Sequence, residues 1–282
     1  MHTIRIKMNL TGKAIRNGAM RLDEWVDSKQ SRGLYVFTRE EALTELKLSP
    51  NAFKKAVARL LLKKRVARPS RGFYVIVPVE YVANGILPPE WFIDDLMKYL
   101  KKDYYVGVLS AAQYHGAAHQ RPTAYHIVAS GRGLRKIVCR SLSIRFFWKK
   151  NLKNTDIQKI KGPTGQLPVS TPEETAFDLL RYSPGIGGLD RVLTVLQELG
   201  EKLDPAALVK TAKKENCMAY AQRLGFLIDK TDFKKKSSML LEWVAKENPK
   251  FVKLHPALPQ GGAKRNKKWN IWMNIELEGD LL

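Results

Sequence analysis

Cysteine is scarce in this chain: only Cys139 and Cys217 occur among the 282 residues, and they stand far apart. Two isolated thiols exclude a disulfide framework and a multi-cysteine zinc site, and they favour a reducing compartment. The sequence also lacks any apolar run of about eighteen residues, the length that a membrane-spanning helix needs. The N-terminus leads into no apolar segment of the kind found in secretory signals, so we expect a cytoplasmic protein.

Acidic residues are also in short supply. The chain has 27 Asp and Glu against 49 Lys and Arg, a formal net charge of +22. A polyanionic partner is the natural explanation, because each phosphate neutralised by a cation releases condensed counterions. The length and the hydrophobic content of 44% are enough for two domains with a sizeable core.

The segment from Leu46 to Val79 contains no acidic residue but nine Lys and Arg. Just before it, Thr38 and Glu41 form the pattern of a capping box that opens a short helix. Ser49-Pro50 then predicts the start of a second helix, with proline at the first helical position. In that helix an apolar stripe at helical spacing predicts one buried face, formed by Phe53, Ala56, Val57, Leu60 and Leu61.

A β-hairpin is predicted directly after this helix, with its turn at Pro69–Gly72. Short helix, tight turn, longer basic helix and basic-tipped hairpin is the order of a winged helix-turn-helix, whose second helix enters the major groove of duplex DNA. Asn51, Lys54, Lys55 and Arg59 are the candidates for contact with base edges. We expect the remaining candidates to contact phosphates, namely Lys63, Lys64, Arg68 and Arg71. The alternative is a basic, solvated helical hairpin without a ligand.

The predicted fold class is α+β or α/β, with a winged helix-turn-helix domain over residues 1–80 and a mixed α/β domain over 81–282. A helix is predicted over 13–30 in the first domain. Short strands alternating with helices follow a linker at Pro88-Pro89, and a helical subdomain is predicted over 189–248. The tail returns to β character.

Two further stretches resemble a known family. Tyr105–Gly116 reads as a strand followed by a helix ending in His-Gly, and Val169–Leu180 as a strand followed by a helix that Thr171-Pro172 opens. Together with the winged helix, they make residues 35–180 similar to the AbiEi-type antitoxins of type IV toxin–antitoxin, or abortive infection, systems. The resemblance implies a repressor that autoregulates its own operon through inverted repeats, bound by more than one copy, and that counteracts a nucleotidyltransferase-like toxin.

Other motifs leave alternatives open. Glu173, Glu174 and Asp178 share one predicted helix, and they are the only candidates for a nuclease or nucleotidyltransferase delivered by the winged helix; capping the helix is their simpler role. A third alternative is a module that neutralises a toxin by direct contact. No cofactor, catalytic residue or metal ligand set is predicted. The segment Lys264–Lys268, with Trp269 and Trp272, fits either a second nucleic-acid contact or a solvated hairpin.

Overall fold

The computed structural model describes residues 20–117 and 122–277. The chain forms two compact units, the first comprising residues up to 95 together with 138–141 and the second comprising the remainder. The first unit thus extends past residue 80, where the sequence places the domain boundary. The extension is held by aromatic contacts, because the Trp91 ring packs edge-on against Tyr35 at 4.8 Å and against Tyr81 at 6.1 Å.

From residue 20 onward, the first unit contains three helices and a three-stranded antiparallel sheet in winged-helix order. Its elements are α1 (Leu22–Ser31), β1 (Val36–Thr38), α2 (Arg39–Leu46), α3 (Pro50–Leu62), β2 (Val66–Ser70) and β3 (Phe73–Ile76). The strand order is β1-β3-β2, so the returning strand of the hairpin lies in the middle. The helix predicted over 13–30 begins only at Leu22, where the side chain of Glu24 accepts a hydrogen bond from the backbone N–H of Arg21. Residues 13–19 of that prediction lie outside the described part of the chain.

Aromatic side chains form the centre of this unit. Phe37 of β1 stacks on Tyr74 of β3 at 5.1 Å, and Trp25 of α1 meets Phe37 edge-on at 5.3 Å. Phe53 of α3 packs edge-on against Tyr74 at 5.8 Å. Such edge-on and stacked pairs add stability beyond the area they bury. They fix the rotation of α3 about its own axis, and therefore which of its side chains face solvent.

The second unit is built on a six-stranded mixed sheet. After α4 (Ile93–Tyr99), which contains the division between the units, its elements are β4 (Tyr104–Val106), α5 (Val108–Tyr114), β5 (Tyr125–Ser130), β6 (Ile137–Cys139, of which residues 138 and 139 are counted with the first unit), β7 (Leu142–Lys149), β8 (Ile157–Lys161), β9 (Gln166–Ser170) and α6 (Pro172–Arg181). The strand order is β6-β7-β5-β4-β9-β8, with parallel pairing for β4–β9 and β5–β7. The mixed α+β fold predicted from the sequence is confirmed. Strand β8, at the edge, was not predicted.

Helices and a small sheet complete the second unit. Four helices follow, α7 (Gly188–Leu199), α8 (Pro205–Glu215), α9 (Met218–Asp229) and α10 (Ser238–Glu247), over the range predicted to be helical. The last three strands are β10 (Val252–Lys253), β11 (Lys264–Asn266) and β12 (Ile271–Met273), in the order β10-β12-β11. Trp269, which is fully buried, joins the helices to this small sheet as part of one core.

Three global observations concern what the described residues contain. Both cysteines are free thiols. Within 20–117 and 122–277, no three His, Cys, Asp or Glu side chains are grouped so as to hold a metal ion. No helix in these same ranges has both the length and the apolar character required to cross a membrane.

Candidate nucleic-acid interface

Two local caps place helix α3. Thr38 accepts a hydrogen bond from the Glu41 N–H at 3.1 Å, and the Glu41 carboxylate accepts one from the Thr38 N–H, so the predicted capping box is confirmed. Helix α2 ends at Leu46, and the next residue, Lys47, has a left-handed φ of 50°. Ser49 then caps α3 by accepting from the Ala52 N–H at 3.2 Å. The turn between the helices is therefore only three residues long, Lys47–Ser49, which leaves little freedom in how α3 is presented.

Helix α3 has one buried and one exposed face. Phe53, Val57 and Leu60 are buried, while Ala56 and Leu61 are partly buried. The opposite face presents residues at spacings of three and four along the helix, as one solvent-exposed stripe. This stripe consists of Asn51, Lys54, Lys55, Ala58, Arg59 and Leu62.

Every residue predicted to contact DNA is exposed on this unit. The set comprises Asn51, Lys54, Lys55, Arg59, Lys63, Lys64, Arg68 and Arg71. Four of them, Asn51, Lys54, Lys55 and Arg59, are brought together on the stripe of α3. Lys63 and Lys64 follow its C-terminal end, and Arg68 and Arg71 lie on the hairpin.

Most of these cations have no acidic partner. Among the described residues, Lys54, Lys55, Arg59, Lys63 and Lys64 form no ion pair within 4 Å. A solvated helix usually gains stability from pairs of opposite charge three or four residues apart. This face instead adds mutual repulsion, which a bound polyanion would relieve.

The hairpin of β2 and β3 forms the wing. Its turn is Arg71-Gly72, where Gly72 has a φ of 81° that favours glycine. The Gly72 carbonyl accepts a hydrogen bond from the Arg39 N–H at 2.8 Å, so the wing is tied to the first turn of α2. Arg68 lies beside the Tyr74 hydroxyl; burial raises the pKa of Tyr74, and Arg68 opposes that rise. Arg68 is therefore partly committed within the wing, although its side chain reaches the surface.

The opposite flank of α3 has mixed charge. A cavity of about 460 Å³ lies between α1 and α3 and is lined by Asp23, Asp27, Arg59 and Lys63, among others. Arg65, which the sequence counted among the nine cations, forms an ion pair with Asp27. The cationic surface is thus the outward stripe of α3 together with the wing.

Sequence reasoning missed two apolar members of the stripe. Ala58 is exposed, and Leu62 has 83% of its surface accessible. Apolar side chains in the major groove contact the thymine methyl group, so these residues complement the polar ones. Their positions seven and eleven residues after Asn51 could have revealed them, because both fall on the same helical face.

The acidic residues of α6 form a second cluster, in the second unit. Glu173, Glu174 and Asp178 are 6%, 1% and 0% exposed. Glu173 accepts a hydrogen bond from the Asp204 N–H at 2.9 Å, Glu174 pairs with Lys149 at 2.5 Å, and Asp178 accepts from the Tyr105 hydroxyl at 2.9 Å. Thr171 caps the helix by accepting from the Glu174 N–H, but the Glu174 carboxylate, for which capping was the simpler expected role, turns inward to the lysine.

Burial dominates the electrostatics of this cluster. Desolvation raises the pKa of Glu174 to about 7 and that of Asp178 to about 6, and Lys149 opposes both shifts. The pKa of Tyr105 is raised well above its usual value by burial and by the neighbouring Asp178. Each of the three carboxylates that an enzymatic alternative would need is thus buried and already engaged by another group of the chain.

Comparisons with known proteins agree with this architecture. Residues 26–77 match the family model described as "Transcriptional regulator, AbiEi antitoxin", and residues 105–230 match "AbiEi antitoxin C-terminal domain". The crystal structure of the RV2827C protein from Mycobacterium tuberculosis is similar in fold, with a TM-score of 0.61, 14% identity, and coverage of 90% of this chain and 93% of that one. A search of curated proteins finds no match.

The fold and its exposed cationic helix define a winged helix-turn-helix protein with an appended α+β domain. The two family matches lie one on each of these parts and together span more than half of the chain. The chain belongs to the AbiEi antitoxin family of transcriptional regulators.

Proposed function

We propose that this protein is a repressor that binds duplex DNA at an inverted repeat in its own operon. The single observation that carries the proposal is the outward stripe of α3, which gathers Lys54, Lys55 and Arg59 without a carboxylate partner among the described residues. Duplex DNA matches this surface in sign and shape, because the major groove admits one α-helix between two rows of phosphates.

The positions of the eight candidates support a division of labour. Asn51, Lys54 and Lys55 lie in the N-terminal half of α3, which in helix-turn-helix proteins is nearest the base edges. Asparagine pairs with adenine, and lysine or arginine with guanine. Lys63, Lys64 and Arg71 lie beyond the helix or on the wing, where contact with phosphates sets register without reading sequence.

The antitoxin role and the cellular setting complete the proposal. The protein counteracts a nucleotidyltransferase-like toxin in the cytoplasm, and more than one copy occupies the operator. The support is the description of the family models, which names both an antitoxin and a transcriptional regulator.

Fluorescence anisotropy with a duplex taken from directly upstream of the gene tests DNA binding. We expect Lys55→Glu and Arg59→Glu to abolish binding, and wild-type affinity to fall steeply as salt rises. Lys246→Glu on α10 is the matched control, because it makes the same charge change at an exposed helical lysine of the second unit. Equal affinity of Arg59→Glu and Lys246→Glu would show that α3 does not contact DNA.

Replacing a lysine that contacts base edges and replacing a lysine that contacts phosphates should change DNA affinity in different ways. Lys55→Ala should weaken binding to the operator by about 1–3 kcal/mol more than binding to a scrambled duplex. Lys63→Ala should weaken both duplexes alike and reduce the salt slope by about 1. A reversed pattern would exchange the roles assigned to these two lysines.

Two cellular measurements separate repression from neutralisation. A promoter fusion should lose repression with Arg59→Glu, whereas co-expression of that variant with the product of the adjacent gene should still rescue growth. Loss of rescue by a folded Arg59→Glu protein would mean that neutralisation passes through the winged helix.

A further inference from the structure

The small C-terminal sheet carries a second cationic surface. Residues 248–275 contain six Lys and Arg and no acidic residue. This segment lies outside both family matches, which end at residues 77 and 230. Its charge is therefore not explained by the parts of the chain that the two families describe.

The sheet alternates between a core side and an outer side. Ile271 is fully buried, and the next residue, Trp272, is only partly buried. Because successive residues of a strand point to opposite faces, Trp272 lies on the outer face. Its register partners are Arg265 on β11 and Lys253 on β10, which places one cation on each side of the indole in a row across the sheet.

Aromatic and cationic groups are stacked on this face. The guanidinium of Arg265 lies over the Trp272 ring at 4.4 Å from its centroid, and it is 5.7 Å from that of Phe251. Phe251 and Trp272 are themselves 5.5 Å apart, with their rings tilted by 52°. A planar guanidinium that rests on an indole offers its other face to a further flat group, and nucleobases stack on such planes.

Two residues of this segment contact α9 and are not part of the proposed binding face. The Trp269 indole is fully buried, and its N–H donates to the Asp229 carboxylate at 2.7 Å. Lys268 pairs with the same carboxylate at 2.5 Å. The structure therefore divides the motif: Trp269 and Lys268 hold the sheet to α9, whereas Lys264, Arg265 and Lys267 remain exposed.

We propose that the outer face of β10-β12-β11 binds single-stranded nucleic acid, with bases stacking on Arg265, Trp272 and Phe251 and phosphates meeting Lys264 and Lys267. Unstacked bases expose the flat faces that this platform accepts, whereas the bases of a duplex are already stacked on one another. Lys264 and Lys267 supply the electrostatic attraction to phosphates, and this attraction does not select a sequence.

The test uses the full chain carrying Lys55→Glu and Arg59→Glu, so that the winged helix does not contribute. Labelled oligo(dT) and oligo(U) are the probes, and anisotropy is the readout. We expect both oligonucleotides to bind the protein that carries Lys55→Glu and Arg59→Glu, called here the background protein. Trp272→Ala should then raise Kd about 5- to 150-fold, and Trp272→Phe should restore most of the affinity because it keeps an aromatic face.

Salt dependence separates stacking from charge. Lys264→Ala should reduce the slope of log K against log salt by about 0.7, the value for one phosphate contact on a single strand. Trp272→Ala should leave that slope unchanged. Arg265→Ala, at an exposed position, gives a second test in case Trp272→Ala does not fold, and circular dichroism reports folding for each variant.

Two results would overturn the proposal. They are failure of the background protein to bind either oligonucleotide, and affinity of both Trp272→Ala and Arg265→Ala equal to that of the background protein. A preference for oligo(U) over oligo(dU) would assign the ligand to RNA, because only the 2′-hydroxyl differs between them. None of these outcomes depends on whether the winged helix binds an operator.

Discussion

Lys149 is the residue whose replacement gives the sharpest test of the second unit. Its ammonium group contacts Glu174 and Glu215, each at 2.5 Å, and the three side chains are 6%, 1% and 4% exposed. Lys149→Met keeps a long apolar stem and removes the charge, leaving two buried carboxylates to share Arg181, which already pairs with Glu215. Removing one partner of a buried ion pair lowers the free energy of unfolding by about 3–5 kcal/mol. Because Arg181 remains as a cationic partner, we expect the free energy of unfolding to fall by about 3 kcal/mol, the lower end of this range.

The loss should depend on pH in a defined direction. The pKa of Glu174 in the folded protein is about 7, above its ordinary 4.5, so this group stabilises the fold at low pH and that contribution disappears as pH rises through about 7. Lys149 lowers this pKa, so its removal raises the pKa further. A protonated Glu174 needs no cation, so the variant should be closer to wild type at pH 6 than at pH 8.

Urea denaturation at pH 6 and pH 8 measures the free energy of unfolding of Lys149→Met, with Lys150→Met as the control. Lys150 is the next residue and is exposed, so its replacement should change the free energy of unfolding by less than about 0.5 kcal/mol. Adding Glu174→Gln to Lys149→Met should recover part of the loss, since a neutral amide replaces the unpaired carboxylate. Equal losses for the two lysine variants, or a loss that is the same at both pH values, would refute the burial of charge as its cause.

Two further substitutions test packing and capping. Gly225→Ala would place a methyl group 2.1 Å from the Trp269 ring, so urea denaturation should show a loss of about 1–3 kcal/mol, whereas Gly262→Ala, with open space around it, is a control expected to lose much less. Tolerance of Gly225→Ala would mean that Trp269 can move aside. Thr38→Ala removes the hydroxyl that caps α2 and should cost about 1 kcal/mol by the same assay, while Thr38→Ser keeps the cap. Similar stability of the alanine and serine variants would show that the cap contributes nothing measurable.

The features that sequence predicted well are those set by near neighbours. The caps at Thr38, Ser49 and Thr171 each join a side chain to a backbone N–H three residues away. The buried stripe of α3 likewise follows from helical spacing alone. This is why the winged helix could be predicted, and why its eight candidate residues all prove to be exposed; their contacts with DNA stay a prediction.

The features that sequence missed depend on a partner outside the segment itself. Glu174 looks like the last member of a capping box, but Lys149, from another strand, draws its carboxylate into the core. Strand β8 has the exposed sequence Ile157-Gln-Lys-Ile-Lys161, and only its antiparallel pairing with β9 makes it a strand. Lys149 is 25 residues from Glu174 in the chain, whereas β9 follows β8 after the four-residue connection 162–165. In both cases the periodicity of one segment does not identify the partner.

The construction of the wing has a consequence for how its reach could change. Strand β3 is paired on both sides, so the base of the hairpin is fixed; its tip is a turn of two residues, of which the Gly72 carbonyl is held by the Arg39 N–H. Residues inserted between Ser70 and Arg71 would lengthen the tip and leave the ladder below intact. Loop closure becomes costlier by only about 0.6 kcal/mol for each doubling of length. The footprint of such a protein on a duplex can thus be enlarged at this one point, by evolution or by design, at little expense to folding.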